Sequence, residues 1–283
     1  EFVKNAVPRG MTFDGLTVVV DCANGAAYKV SPTVLRELGA TVITMNDRPD
    51  GVNINADCGS LHPEGIREAV RAHGADMGIA HDGDADRAIF ADETGRAVDG
   101  DQVMAMCALD LHAEGKLRRN TLVATVMSNL GLDLAMRRAG IKIEKTPVGD
   151  RYVVDAMRRG DFNLGGEQSG HIVFLDDNTT GDGIVTALHV LTLMKKSGKP
   201  LSALASAMTV LPQVMINIPV RDKPEIDSIP SVAQAIREAE GRLSGSGRIL
   251  VRYSGTEPLA RVMAEGESED ALRTVARATG DPL

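Results

Sequence analysis

Asp82-Gly83-Asp84-Ala85-Asp86-Arg87 sets three carboxylates at alternate positions between two short apolar runs. Met77-Gly78-Ile79-Ala80 leads in, Ala88-Ile89-Phe90-Ala91 leads out, and both read as buried strands. In an extended segment alternate residues share one face, so the three aspartates would point together. Like charges held that close repel unless a cation lies between them. Oxygen-only donors on a tight, glycine-containing loop suit a hard divalent ion. Few protein donors, with room left for water or phosphate, favour Mg²⁺ over Ca²⁺. Asp82, Asp84 and Asp86 are therefore candidate Mg²⁺ ligands. Arg87 beside them could orient a carboxylate or receive a phosphate oxygen that bridges to the metal.

Two other readings compete. An EF-hand loop fits the aspartate spacing, with Ile89 and Glu93 at the later positions. It requires glycine where Arg87 stands, and helices where the flanks look like strands. A solvated acidic turn is the second alternative, and the triplet by itself leaves it open.

Bulk properties narrow the function classes. The chain has 283 residues, 43% apolar and 25% charged, which is ordinary for a globular protein of two or three domains. Its net charge of -8 and its 3% aromatic content argue against a nucleic-acid surface. A phosphorylated ligand must then be met by local basic clusters. Cys22, Cys58 and Cys107 are far apart and form no CxxC pair, so neither a zinc site nor a disulfide framework is expected, and a reducing cytoplasm fits. No apolar run approaches the ~18 residues of a membrane span, and no signal peptide is visible.

Along the chain the pattern is α/β. Leu16 to Val20 reads as a strand. A helix over 31–38 follows, with Ser31 as N-cap and Pro32 at its first position, and then a strand at Thr41 to Thr44. This βαβ order predicts a parallel sheet. Gly25 and Ala26 follow a strand, but no GxGxxG fingerprint is present. After Glu64 to Arg71 as a helix, the acidic loop falls at the carboxyl end of a strand, where open α/β sheets bind ligands.

The pattern restarts near residue 98. Asp101 is the expected cap of a helix over 102–112. Strand, helix and strand follow at Leu122 to Val126, Leu130 to Ala139 and Ile141 to Glu144. Gly166-Glu167-Gln168-Ser169-Gly170-His171 lets backbone approach a ligand closely. Glu167, Ser169 and His171 alternate, so they could face one side and offer groups matched to sugar hydroxyls. His171 also suits proton transfer near neutral pH. A glycine-rich turn facing water explains the same residues equally well.

The last block, from about 210, reads strand, helix, strand, strand, helix, with Ser231 capping the first helix. Between its paired strands lies Arg252-Tyr253-Ser254-Gly255-Thr256-Glu257-Pro258. Ser254 and Thr256 supply hydroxyls, Gly255 frees backbone N–H groups for an anion nest, and Arg252, joined by Arg261, offers a fork for phosphate. A plain hairpin turn is the alternative. The expected architecture is two tandem α/β domains with mixed, mostly parallel sheets, residues 1–97 and 98–209. A small α+β C-terminal domain, 210–283, follows.

These three separated motifs, in this order, resemble the metal, sugar and phosphate loops of the α-D-phosphohexomutases. Asp21-Cys22-Ala23-Asn24-Gly25-Ala26, Asn53-Ile54-Asn55 through Ser60, and Thr146-Pro147-Val148-Gly149-Asp150-Arg151 are similar to the bacterial phosphoglucosamine mutase branch. The likeness covers nearly the whole chain. It implies a four-domain cytoplasmic enzyme of amino-sugar metabolism, supplying cell-wall precursors. A phosphoserine and Mg²⁺ would move a phosphoryl group on a hexosamine phosphate, through a bisphosphate intermediate. By the same resemblance Asp82, Asp84 and Asp86 hold Mg²⁺, and Arg87 assists the phosphoserine. Glu167 and Ser169 hold sugar hydroxyls, and His171 assists proton transfer. Arg252, Ser254, Gly255, Thr256 and Arg261 grip the non-reacting phosphate. Family members carry the reactive serine in an N-terminal domain, in a Ser-His-Asn-Pro-like loop that the 283 residues do not contain. The expectation is a chain made of the second to fourth domains, inactive without the first, with no nucleic-acid or membrane partner. A phosphomannomutase or phosphoglucomutase shares the core loops, and a non-catalytic phosphosugar-binding module is the alternative from another class.

Overall fold

Val18, Val19 and Val20 are fully buried in strand β1 (Thr17–Asp21). Val18 and Val20 enter one core while Val19 enters another on the opposite face. A strand covered on both faces needs no polar alternation, which is why the run is continuous. The computed structural model describes residues 1–243, 247–254 and 257–280. Their contacts divide the chain into two compact units, residues 1–128 with 132–208, and residues 129–131 with 209–283.

The first unit holds two sheets. After β1 come α1 (Ala27–Glu37), β2 (Thr41–Met45), α2 (Glu64–His73), β3 (Met77–His81), β4 (Ala88–Asp92) and β5 (Ala97–Val98). The strand order is β2-β1-β3-β4-β5. β1 runs parallel to β2 and β3, whereas β3–β4 and β4–β5 are antiparallel, so this sheet is evenly mixed. Next come α3 (Gly100–Ala113), β6 (Thr121–Thr125), α4 (Leu130–Arg138), β7 (Lys142–Thr146), α5 (Asp150–Gly160), β8 (Leu164–Gly166), β9 (Ile172–Phe174), α6 (Gly183–Ser197) and α7 (Leu201–Ala205). The second sheet is ordered β7-β6-β8-β9, with β6 parallel to β7 and β8, and β8 antiparallel to β9. Leu122 and Ala124 join the same buried cluster as Val18 and Val20, while Val123 faces α5 through Val153 and Met157.

The second unit contains β10 (Gln213–Pro219), α8 (Pro230–Leu243), β11 (Arg248–Tyr253), β12 (Leu259–Glu265) and α9 (Glu269–Gly280). Its sheet, β10-β12-β11, is wholly antiparallel. Val214, Val262 and Ala264 pack there with Leu272, Val275 and Ala276 of α9. Among the described residues no helix is long and apolar enough to cross a membrane. All three cysteines are free and buried.

Three expected helix starts move. α1 begins at Ala27, so Ser31 and Pro32 lie inside it and Ser31 is buried rather than capping. α3 is capped by Asp99, whose side chain accepts from Gln102 N while Gln102 answers to Asp99 N; Asp101 is the next residue but one. This reciprocal capping box out-competes a lone aspartate two residues later. α8 starts at Pro230, where a missing N–H costs nothing, and Ser231 falls within the helix.

Candidate active site

β3 ends at His81, which is fully buried. Its Nδ1 lies 3.2 Å from the Arg87 carbonyl oxygen and its Nε2 2.9 Å from Ser31 Oγ. Burial pushes the imidazole pKa down to about 4, so the ring is neutral near pH 7. A neutral ring fits both contacts: Nδ1–H donates to Arg87, and Nε2 accepts from the Ser31 hydroxyl.

The acidic loop is a turn and not an extended segment. Ala85 is left-handed, with φ of 62°, and its N–H donates to the Asp82 carbonyl at 3.1 Å. Asp82 and Asp86 are brought together by that turn. Burial, then the hydrogen bond and charge of Asp86, push the Asp82 pKa up to about 6. Asp82 Oδ1 accepts from Arg87 N at 3.3 Å, and Asp82 Oδ2 lies 3.9 Å from Arg87 Nε. Asp84 is exposed and lines an open cleft of about 420 Å³ with Asn24, Tyr28, Asn53 and Ile54. Alternation thus gives the wrong reason for convergence: the turn gathers two aspartates and leaves the middle one on the rim.

The sugar-loop residues also part company. Gly170 takes φ of 90° and its N–H donates to the Glu167 carbonyl at 3.1 Å, which curls the loop between β8 and β9. His171 is turned inward, 2% exposed, with Nε2 3.6 Å from Asp86 Oδ2. Glu167 Oε1 accepts from Gly149 N at 2.9 Å, tying this loop to the Thr146–Arg151 turn at the end of β7. Ser169 is exposed. Backbone pairing joins the acidic and sugar loops directly: Arg87 bridges His171, and Ala88 N donates to the Gly170 carbonyl at 3.1 Å.

Among the described residues, no three His, Cys, Asp or Glu side chains form a group able to enclose a metal unaided. The donors present nevertheless fit an open Mg²⁺ site. Asp86 Oδ1 is buried with no hydrogen-bond partner, and it stands beside a carboxylate whose charge is already disfavoured. A divalent cation relieves both conditions, and Mg²⁺ takes its remaining ligands from water and phosphate.

The phosphate motif lies in the second unit. Gly255 and Thr256 fall outside the described residues. Arg252 and Arg261 are directly opposed across β11 and β12. Arg261 Nη2 donates to Glu257 Oε2 at 2.7 Å, and buried Ser254 donates through Oγ to Glu257 Oε2 at 3.4 Å. The sequence reading missed Lys223, whose Nζ donates to the Ser254 carbonyl at 2.6 Å. No local pattern pairs a loop lysine with a turn some thirty residues away. It also missed Asp99, whose Oδ2 accepts from Gln168 Nε2 at 3.1 Å, although Asp-x-x-Gln was visible as a capping box.

Comparison with known proteins agrees with the family resemblance. The chain matches the family described as phosphoglucomutase/phosphomannomutase. Residues 3–95 match alpha/beta/alpha domain II, residues 99–211 alpha/beta/alpha domain III, and residues 215–279 the C-terminal domain. It is 57% identical over 282 residues to a phosphoglucosamine mutase of Syntrophotalea carbinolica, covering 100% of this chain and 62% of the relative. The Geobacter metallireducens phosphoglucosamine mutase is 58% identical over 280 residues, covering 99% of this chain and 62% of its own length. The chain thus spans about three-fifths of the curated relatives it matches. Among solved structures, a phosphoglucomutase/phosphomannomutase family protein from Burkholderia thailandensis superimposes with a TM-score of 0.80 at 21% identity, over 100% of this chain and 63% of that one. Aspergillus fumigatus N-acetylphosphoglucosamine mutase, in complex with GlcNAc-6P and magnesium, gives 0.76 at 23% identity, over 99% and 68%.

Proposed function

Because this chain belongs to the phosphoglucomutase/phosphomannomutase family, the α-D-phosphohexomutases, with phosphoglucosamine mutases as curated relatives, we propose that it supplies the metal, sugar and phosphate loops of an enzyme interconverting glucosamine 6-phosphate and glucosamine 1-phosphate. The observation that carries this reading is the backbone bridge between Arg87 and His171, which sets the acidic pair against the Gly166–His171 loop. We assign residues 1–97, 98–209 and 210–283 to the three successive family domains, and the reaction to the cytoplasm, which the free buried cysteines suit.

Phosphoryl transfer asks a protein for positioning and charge neutralisation more than for covalent chemistry. Asp82, Asp84 and Asp86 would hold Mg²⁺, which when bound draws charge from the transferring phosphoryl group. Arg87 presents a guanidinium beside Asp82, where it can meet a phosphate oxygen. Glu167 keeps one carboxylate oxygen on Gly149 N and has the other for a sugar hydroxyl, with the exposed Ser169 hydroxyl nearby in the same turn. His171, against Asp86, can hold or pass a proton at Nε2. Arg252, Ser254, Gly255, Thr256 and Arg261 would grip the phosphate that does not react. The phosphoryl donor we assign to a serine outside these 283 residues, as they contain no Ser-His-Asn-Pro-like loop.

Calorimetry on the 283-residue chain tests the reading. Mg²⁺ should bind in the millimolar range and lose its heat in Asp86→Asn, and glucosamine 6-phosphate should bind in preference to glucose or mannose 6-phosphate. A coupled assay should find no turnover by this polypeptide alone. Absence of binding by every hexose phosphate would sink the assignment, and wild-type-like turnover would sink the placement of the nucleophile elsewhere.

A further inference from the structure

Facing residues on paired antiparallel strands put their side chains on one face, and like charges there repel. Arg252 and Arg261 are such a pair. Burial, and then the charge of Arg261, make the Arg252 cation harder to hold, moving its pKa down. Glu257 engages Arg261 at Nη2, yet Arg261 Nε is buried without a hydrogen-bond partner. The segment after β10 then brings a third cation to the same turn. Val220 N donates to the Pro258 carbonyl at 3.0 Å, which fixes the base of that segment on the turn. Lys223 Nζ donates to the Ser254 carbonyl at 2.6 Å. Lys223 and Arg252 also line one open cleft of about 500 Å³, with Tyr253 and Ile226. Lys223, Arg252 and Arg261 therefore stand by one turn, where Glu257 engages Arg261 and Glu225 lines the cleft beside Lys223 and Arg252.

We propose that Lys223 is a third cationic arm of the phosphate clamp, binding the non-reacting phosphate of the sugar substrate alongside Arg252. The proposal rests on the phosphosugar reading given above. An ammonium has three N–H donors, and the Ser254 carbonyl takes one. Two remain for phosphate oxygens, and the bond to Ser254 holds the charge at the turn instead of letting a long side chain wander through solvent. A phosphate dianion would satisfy the excess of positive charge that the opposed arginines and the lysine create, and Lys223 adds a point charge to the planar forks of the arginines.

Titration calorimetry of the full chain with glucosamine 6-phosphate tests this, with Lys223→Gln, Lys223→Arg, Arg252→Gln and Lys142→Gln beside the wild type. Lys142 is an exposed β7 lysine in the other unit, and its variant controls for net charge. Losing one charge-assisted phosphate contact should weaken binding about tenfold in Lys223→Gln. Lys223→Arg should stay within about threefold, Lys142→Gln should match the wild type, and the salt dependence of binding should flatten in Lys223→Gln alone of the lysine variants. Thermal unfolding by circular dichroism checks that each variant is folded, and Lys223→Ala replaces the glutamine variant if that one is not. If Lys223→Gln binds like wild type while Arg252→Gln is weakened, the lysine arm is refuted and the clamp stands. If neither variant changes binding, or the wild type binds no phosphosugar, the clamp reading fails and takes the lysine arm with it.

Discussion

Gly100→Ala asks how firmly the sugar loop is held. Gly100 opens α3, and its N–H donates to the Gln168 carbonyl at 3.0 Å. A methyl group built there would overlap the Glu167 carbonyl oxygen, with Gly170 N at 2.9 Å and the Gln168 carbonyl at 3.0 Å. All three are backbone atoms, so no flexible side chain can swing aside. Ordinary contact would require helix and loop to separate by about 1 Å. Overpacking of that kind costs about 1–3 kcal/mol, and the lost hydrogen bond adds about 1 kcal/mol. The expected destabilisation of the first unit is therefore about 2–4 kcal/mol, read from urea unfolding by far-UV circular dichroism. The same shift displaces Glu167 and Gly170, so glucosamine 6-phosphate affinity should fall, and the Ala88 amide, bonded to the Gly170 carbonyl, should exchange faster. Gly65→Ala is the control. It sits in α2, where a methyl group would meet only Met45 Cε at 3.7 Å, and it should be neutral or stabilising by up to about 1 kcal/mol. A Gly100→Ala protein within about 0.5 kcal/mol of wild type, with unchanged affinity, would show that the loop is not clamped by α3.

Two further perturbations probe each unit separately. Ser31→Ala leaves His81 Nε2 buried without its 2.9 Å partner, and should cost about 1–3 kcal/mol in urea unfolding at pH 7.5; a change under about 0.5 kcal/mol would mean another donor takes over. Glu265 is fully buried beside Arg248 and Gln213, and burial raises its pKa above the usual 4.5. The folded state then binds more protons than the unfolded one just above pH 4.5, so this group's contribution to stability falls as pH rises through that window. Glu265→Gln should remove that part of the pH slope while weakening the hold on Arg248, and identical slopes in both proteins would refute the assignment.

Most strands and helices were readable because their cause is local. Val18 to Val20, Leu122 to Ala124 and the periodic faces of α2 and α5 announce themselves by hydrophobic pattern. Helix starts were less legible, since Ser31, Asp101 and Ser231 are all good caps taken in isolation: a capping box at Asp99 and the proline at 230 decided two of them, and a tertiary contact decided the first. In α1, Ala26 N donates to the Gly83 carbonyl, a contact across more than fifty residues that starts the helix early and draws Ser31 inside. The three loops were found by composition and order, but their internal geometry was not. Alternation misjudged both the aspartates and the Glu167–His171 run, because the left-handed residues Ala85 and Gly170 convert each stretch into a turn. Lys223 had no signal at all in sequence.

The closeness of Asp82 and Asp86 is imposed from outside the loop. Gly83 O accepts from Ala26 N at 2.8 Å, Ala85 O accepts from Gly183 N at 2.9 Å, Arg87 O meets His81 Nδ1 at 3.2 Å, and Ala88 N donates to Gly170 O at 3.1 Å. Backbone at the starts of α1 and α6 and in the sugar loop, with the His81 side chain at the end of β3, thus pins the turn at four places. These bonds fix the backbone of the turn, and Asp82 Oδ1 is held in addition on Arg87 N at 3.3 Å, so the two carboxylates start from neighbouring positions. Burial first, and then the hydrogen bond and charge of Asp86, push the Asp82 pKa up in the folded protein, and Asp86 Oδ1 is left without a hydrogen-bond partner. Under the proposed Mg²⁺ assignment, donors already held by the fold would keep the reorganisation cost of binding small, and the cation would offset the charge of the paired carboxylates. It follows that the anchors and the acidic residues act as one unit: loosening the turn from α1 or α6 should weaken Mg²⁺ binding even though no ligand has been altered.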